Sequence, residues 1–263
     1  MSIEAQRSSF RGTVMLLIAG ACLAAAPAAF AQASSPLEST LTPEQKTAVE
    51  HVIHDYLLSH PEVMIETLQA AKEQQRRHTE EDAQQALKTR HDEIFNDPTS
   101  PVGGNVHGDV SIVEFFDYRC PYCKRVQPLI EAMLKEDAGL RIVYKEFPIL
   151  GAPSVLAARI ALAARKQGKY DAFHKAMMAT PGEAEIDEKV VMRVARSVGL
   201  DLDTLKADMR APEINAVLRH NYDLAEALAI NGTPGIIIGD DIMNGAADID
   251  TLKQAVANAR KPR

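Results

Sequence analysis

The sequence predicts an α/β domain carried behind an N-terminal helical arm, and three observations point to it. Strand-like runs at 110–116, 140–147 and 235–239 alternate with helical patterns. The character of the chain changes sharply near residue 98, from polar and helical to apolar and alternating. A close cysteine pair, Cys120-Pro121-Tyr122-Cys123, stands at the end of the first predicted strand.

The chain opens on an export signal. Arg7 and Arg11 precede an almost wholly apolar stretch, 13–26, and Ala29-Phe30-Ala31 supplies the small-x-small pattern of a cleavage site after Ala31. Cys22 behind Ala19-Gly20-Ala21 offers a lipid-anchored alternative, but the large aliphatic residue expected there is missing and the apolar run continues past it. The run is shorter than the roughly 20 residues of a membrane span. The mature chain is therefore expected to begin at residue 32 and to be soluble. With 46% hydrophobic and 25% charged residues it has the composition of a globular protein rather than a disordered one. The formal net charge is −7, and losing Arg7 and Arg11 against Glu4 makes it one unit more negative, which argues against nucleic acid as a partner.

The arm is expected over 32–98. Thr42, Pro43 and Gln45 form a capped helix start, and Val49, Val52, Ile53, Tyr56 and Leu57 then make one apolar face. Ser59-His60-Pro61-Glu62 restarts a second helix with Met64, Ile65, Leu68 and Ala71 at the same spacing. Residues 72–82 hold no apolar side chain, so a helix there is a solvated spacer or is partly frayed. The apolar part either folds back on its own domain or associates with other copies through 42–71, and the second reading is favoured. Pro98, Pro101, Gly103 and Gly104 mark 99–104 as a linker.

The domain is expected over 105–263. Val110–Phe116 runs straight into the cysteines, and Val126, Leu129, Ile130, Met133 and Leu134 mark an amphipathic helix after them. Cys120 thus sits at a helix N-terminus, where unpaired N–H groups and the macrodipole favour a thiolate. Cys123, one turn in, is shielded. Cys120 is then the attacking sulfur and Cys123 the resolving one, with Pro121 tolerated because the first turn needs no N–H donor. A purely structural disulfide across two intervening residues would gain little entropy, and a zinc site wants four ligands where no second pair stands. A soft two-thiolate Cu(I) site stays open. His51 and His54 share a helix face at metal-compatible spacing, which an exposed surface explains as well. No resident metal or cofactor is expected.

The strand at 140–147 comes next, then a helical stretch over about 152–230, with Gly199-Leu200 as a helix stop and Asp201 as the next cap. Residues 235–239, a turn at Asp240-Asp241 and Ile242-Met243-Asn244 predict an antiparallel hairpin, closed by a helix from Asp248.

This order, with the stretch from Phe115 to Cys123 at the first turn and Gly232-Thr233-Pro234 before the hairpin, resembles the DsbA-like family of thioredoxin-fold proteins. The arm, with Tyr56-Leu57-Leu58 and Pro61-Glu62-Val63, is most similar to the ScsC branch, named for suppression of copper sensitivity. The resemblance implies a thioredoxin fold with a large helical insertion. It implies that Pro234 is a cis-proline beside the cysteines and that Thr233 offers backbone hydrogen bonds to a substrate strand. Pro121 and Tyr122 are further expected substrate contacts, with Tyr122 either stacking on substrate or only capping the turn. Glu114 matches the buried acid that relays a proton to the resolving cysteine, and alternation with Ile112 and Phe116 supports its burial. Lys145 is a candidate partner for that acid. The Pro-Tyr dipeptide lacks the histidine of strongly oxidising relatives, which implies a milder oxidant. Two functions follow as expectations. One is a periplasmic disulfide isomerase or oxidase acting on exported clients, with a membrane redox partner. The other is a Cu(I)-binding copper-tolerance protein using the same thiols.

Overall fold

The computed structural model describes residues 41–181 and 186–262, so the expected export signal, its cleavage after Ala31 and Cys22 lie outside the described residues. Along the chain run α1 (Pro43–Ser59), α2 (Pro61–Thr89), α3 (His91–Phe95), β1 (Val102–Gly104), β2 (Val110–Phe116), α4 (Pro121–Glu136), β3 (Leu140–Glu146) and α5 (Ala152–Ala164). They are followed by α6 (Tyr170–Ala179), α7 (Glu188–Ser197), α8 (Leu202–Asp208), α9 (Pro212–Ala227), β4 (Gly235–Ile238), β5 (Asp241–Asn244) and α10 (Ile249–Ala259). A short 3-10 turn, Arg165–Gln167, joins α5 to α6. Among the described residues no helix is long and apolar enough to cross a membrane.

The chain divides into two units between Met64 and Ile65. In the first, α1 starts with the expected capping box: Thr42 accepts from the Gln45 N–H, and the Gln45 side chain accepts from the Thr42 N–H. The helix buries none of its residues, and Val52 is 69% exposed. Helix α2 begins at Pro61 and runs through 72–82 without a break. Those residues are helical rather than frayed, and Glu73, Arg76 and Glu80 pair along one side at i,i+3 and i,i+4 spacing.

In the second unit the strands form one sheet in the order β1-β3-β2-β4-β5. β2 and β3 are parallel, with Glu114 opposite Tyr144, while β4 pairs antiparallel with β2 and with β5. The βαβ unit, helical insert, hairpin and closing helix are in the order a thioredoxin fold requires. Alternation sends Ile112, Phe116, Ile142, Ile236 and Ile238 to a core shared with α4, α10 and most of the insert. Val113, Phe115, Val143 and Ile237 face a second core on the other side.

Three expectations are corrected here. The arm does not extend to 98 as a separate element: Leu87, Ile94 and Phe95 are buried in the second core. Residues 99–104 are not a linker. Asp97 accepts hydrogen bonds from the Thr99 N–H and hydroxyl and from the Ser100 hydroxyl, and β1 then pairs antiparallel with β3. The two glycines serve close approach: a Cβ at Gly103 would lie 3.0 Å from the Ile142 side chain, and Gly104 has φ +69°. Lys145 does not partner Glu114. It stands opposite Phe115, on the other face, where its ammonium donates to the Glu93 carbonyl at 2.7 Å and to Asp97 at 3.1 Å.

Burial alone would raise the Asp97 carboxyl. Hydrogen bonds from Thr99 and Ser100 and the Lys145 charge outweigh it and hold the group at about 2, below its ordinary 3.8. Because the folded value is depressed, this stability is present above the ordinary value and is lost as pH falls towards about 2. Asp97→Ala strands a buried ammonium and should cost about 3 kcal/mol in denaturant unfolding. The variant should also lack the acid-side loss of stability that Asp97 gives the parent between those two pH values.

Candidate active site

The turn between β2 and α4 is organised by Asp117. Its carboxylate accepts from the Arg119 N–H at 2.8 Å and from the Leu150 N–H at 2.9 Å, and its carbonyl accepts from the Cys120 N–H at 3.0 Å. These bonds tie the turn to the loop after β3 and deliver Cys120 to the N-cap of α4, with Pro121 as the first helical residue. Arg119 also donates to the Leu150 carbonyl.

Both cysteines are free thiols among the described residues; Cys120 is 3% exposed and Cys123 fully buried. The Cys120 thiol donates to the Thr233 carbonyl at 3.1 Å, and the Thr233–Pro234 peptide bond is cis. The two sulfurs are driven in opposite directions. A hydrogen bond from the Cys123 thiol is the largest influence on Cys120. Burial opposes it, but with help from the Thr233 side chain and the N–H groups of Cys123 and Tyr122 the Cys120 thiol is brought down to about 6. Burial pushes the Cys123 thiol far up, reinforced by its bond to Cys120 and the charge of Glu114.

Glu114 is fully buried on the cysteine-bearing face, and among the described residues neither carboxyl oxygen has a hydrogen-bond partner. Burial, then the nearby Cys120 charge, pushes its carboxyl up to about 8. An acid poised there can hold a proton at neutral pH and exchange it with a neighbouring sulfur.

Tyr122 is half-exposed, with the Arg125 guanidinium 4.3 Å above its ring. Thr233 lines a hollow of about 320 Å³ together with Asn231, Gly232, Asn244 and Gly245. A larger hollow of about 870 Å³ lies among α2, β5 and α10 and contains none of the expected site residues. Cys120, Cys123 and Thr233 thus meet at one end of the sheet, with Glu114 close enough to feel the Cys120 charge and to raise the Cys123 thiol.

Two participants were not singled out from the sequence. Asp117 carries the pattern of an Asx turn, a side-chain oxygen accepting two residues on, which was available as a signal. Lys124 follows Cys123 and is partly buried, its ammonium donating to the Met177 and Met178 carbonyls at the end of α6. Burial lowers it to about 8, while Cys123, Asp117 and Cys120 pull it back up. Nothing in its sequence spacing marks that contact, which depends on how the insert packs.

Residues 111–257 match the DSBA-like thioredoxin domain, and residues 45–77 match the N-terminal domain of the copper resistance protein ScsC. A thioredoxin-like oxidoreductase from Silicibacter pomeroyi is 48% identical with a TM-score of 0.63, over 65% of this chain and 98% of that one. Proteus mirabilis ScsC in a transitional conformation is 30% identical with a TM-score of 0.61, over 84% of this chain and 98% of that one. A probable disulfide bond formation protein D from Bacillus anthracis is 27% identical over 181 residues, 64% of this chain and 82% of the relative. The chain spans only 26% of the length of Na(+)/H(+) antiporters from Salinispora that it also matches.

The ultraviolet absorbance of thiolate should rise through a midpoint of about 6 in the reduced protein. Cys120→Ser should abolish that step. Cys123→Ala should move it upward, because it removes the donor that lowers the Cys120 thiol most.

Proposed function

The chain belongs to the DSBA-like thioredoxin-domain family, and on that premise we propose that it is an exported thiol–disulfide oxidoreductase that reshuffles disulfides in misfolded periplasmic proteins. The observation that carries the reading is the inequality of the two thiols, one lowered to about 6 and the other raised, at a single helix N-terminus. An attacking sulfur that is mostly thiolate at neutral pH beside a resolving sulfur held as thiol is what exchange chemistry needs.

The Cys120 thiolate attacks one sulfur of a client disulfide. The S–S bond breaks, a mixed disulfide forms, and the departing client sulfur leaves with the electron pair as thiolate. Another client thiolate can then attack the mixed disulfide, which regenerates Cys120 with no net electron transfer. Alternatively Cys123 loses its proton to Glu114 and attacks Cys120, releasing a reduced client and leaving the protein as the disulfide. A membrane redox partner that returns two electrons would restore the isomerase. The client strand would lie along Thr233 and Pro234, with Pro121 and Tyr122 at its edge. The export pattern in residues 1–31 supports a periplasmic setting.

The exposed apolar side chains of Val49, Val52, Ile53, Tyr56 and Leu68 support self-association through 42–71, which would present several sites to one client. A dithiol oxidase needs the same cysteines without the assembly. The match of residues 45–77 to ScsC favours a second reading, in which the two soft thiolates hold Cu(I).

Two experiments test the proposal. Glu114→Gln should leave attack by Cys120 in place but prolong the mixed disulfide on the order of 10²-fold. In the parent, resolution should speed up as pH rises through about 8, where the carboxyl becomes a base; an unchanged pH profile in the variant removes the relay. The double substitution Ile53→Glu with Tyr56→Glu should reduce the mass measured by light scattering to that of one chain. It should also abolish reactivation of a scrambled-disulfide substrate while oxidation of a reduced one persists. A parent protein already monomeric at micromolar concentration would sink the assembly.

A further inference from the structure

The seven residues from Arg119 to Arg125 hold three cations in a chain of formal net charge −7. Two of them turn inward: Arg119 onto the Leu150 carbonyl, and Lys124 onto the carbonyls of Met177 and Met178. Arg125 alone of the three is exposed, and among the described residues it forms no ion pair with a carboxylate. Its position is nonetheless set, because the guanidinium stacks 4.3 Å over the half-exposed Tyr122 ring one helical turn back. Stacking occupies a face of the guanidinium and leaves its N–H edges, which match a carboxylate in geometry, pointing to solvent.

Helix geometry places Arg125 roughly 7.5 Å along the axis of α4 from the Cys120 position and about 140° around it, and its side chain reaches back toward the N-terminus onto Tyr122. An extended chain covers a similar span in two residues, at about 3.3 Å each, and residues two apart point to the same side. Resting on the exchange reading above, we propose that Arg125, seated on Tyr122, is a specificity-determining residue that favours client cysteines carrying an Asp or Glu two residues away. A protein whose overall charge repels acidic segments thereby carries a local attraction beside the reacting sulfur.

The test uses the reduced full chain and three peptides, each with one cysteine capped as the uncharged 2-thiopyridyl disulfide and with Glu, Gln or Lys at both positions two from the cysteine. The Cys120 thiolate attacks the peptide sulfur, the S–S bond breaks, and thiopyridone leaves with the electron pair and is read by its absorbance. Cys123 then displaces the peptide thiol, leaving the protein oxidised by two electrons. Exchange should run about threefold faster with the Glu peptide than with the Gln peptide, as expected for one exposed ion pair, and more slowly with the Lys peptide. The Glu-to-Gln rate ratio should fall towards unity in Arg125→Gln, and in the parent at high salt. Using the ratio cancels any change the substitution makes to Cys120 itself. Equal ratios in parent and variant overturn this proposal alone. No release from any peptide overturns the exchange reading, and the proposal with it.

Discussion

Asp117 is the constraint on which the site depends. Three residues separate the end of β2 from Cys120, and a turn that short has few ways to satisfy its backbone polar groups once buried. One side chain and its carbonyl take the N–H groups of Arg119, Leu150 and Cys120. The same bonds fix the angle at which α4 departs and the loop that leads into the helical insert. Had the turn been satisfied by water, the N-terminus of α4 would not be held beside Thr233, and the sulfur would lose the Thr233 contribution among those that lower it.

Alternation along β2 then divides the chemistry. Glu114 and Lys145 are both buried ionisable groups on neighbouring strands, yet they stand on opposite faces and never meet. Lys145 is compensated by Asp97 and by the Glu93 carbonyl, so it does structural duty where α3 joins the sheet. Glu114 has no such compensation and instead shares its surroundings with the two sulfurs. The uncompensated acid costs stability wherever it is placed. On the exchange reading proposed above, its place beside the sulfurs gives its proton a use.

What could be read from the sequence was local. Helix caps at Thr42, Asp201 and Asp248, the restart at Pro61, the hairpin and the N-cap position of Cys120 all follow from spacing within a few residues. Distances across the fold were not legible. Gly103 and Gly104 read as flexibility because glycine permits both a loose linker and a tight approach, and only their neighbours, Ile142 for the first and Leu140 and Leu134 for the second, decide between them. Leu87, Ile94 and Phe95 stand in a polar surrounding that masked their burial. The partner of Lys145 depends on register between strands, and a pattern along one strand holds no such information.

The unpaired Glu114 has a thermodynamic counterpart in the proton inventory of folding. In the unfolded chain its carboxyl ionises near the ordinary value of 4.5, whereas the folded chain keeps the proton to about 8, so folding at neutral pH takes a proton from solvent. Glu146, buried among Tyr118 and Tyr170, is also raised and adds to the uptake. Cys120 works in the other direction, giving up a proton on folding because its folded value is lowered from 9.0 to about 6. Raised acids weaken the fold as pH climbs, and the lowered thiol strengthens it over an overlapping range. Forming the disulfide removes the thiol's share and the Cys120 charge that helps to raise Glu114, while burial still raises both acids, so oxidation changes how the fold responds to pH as well as which electrons it holds.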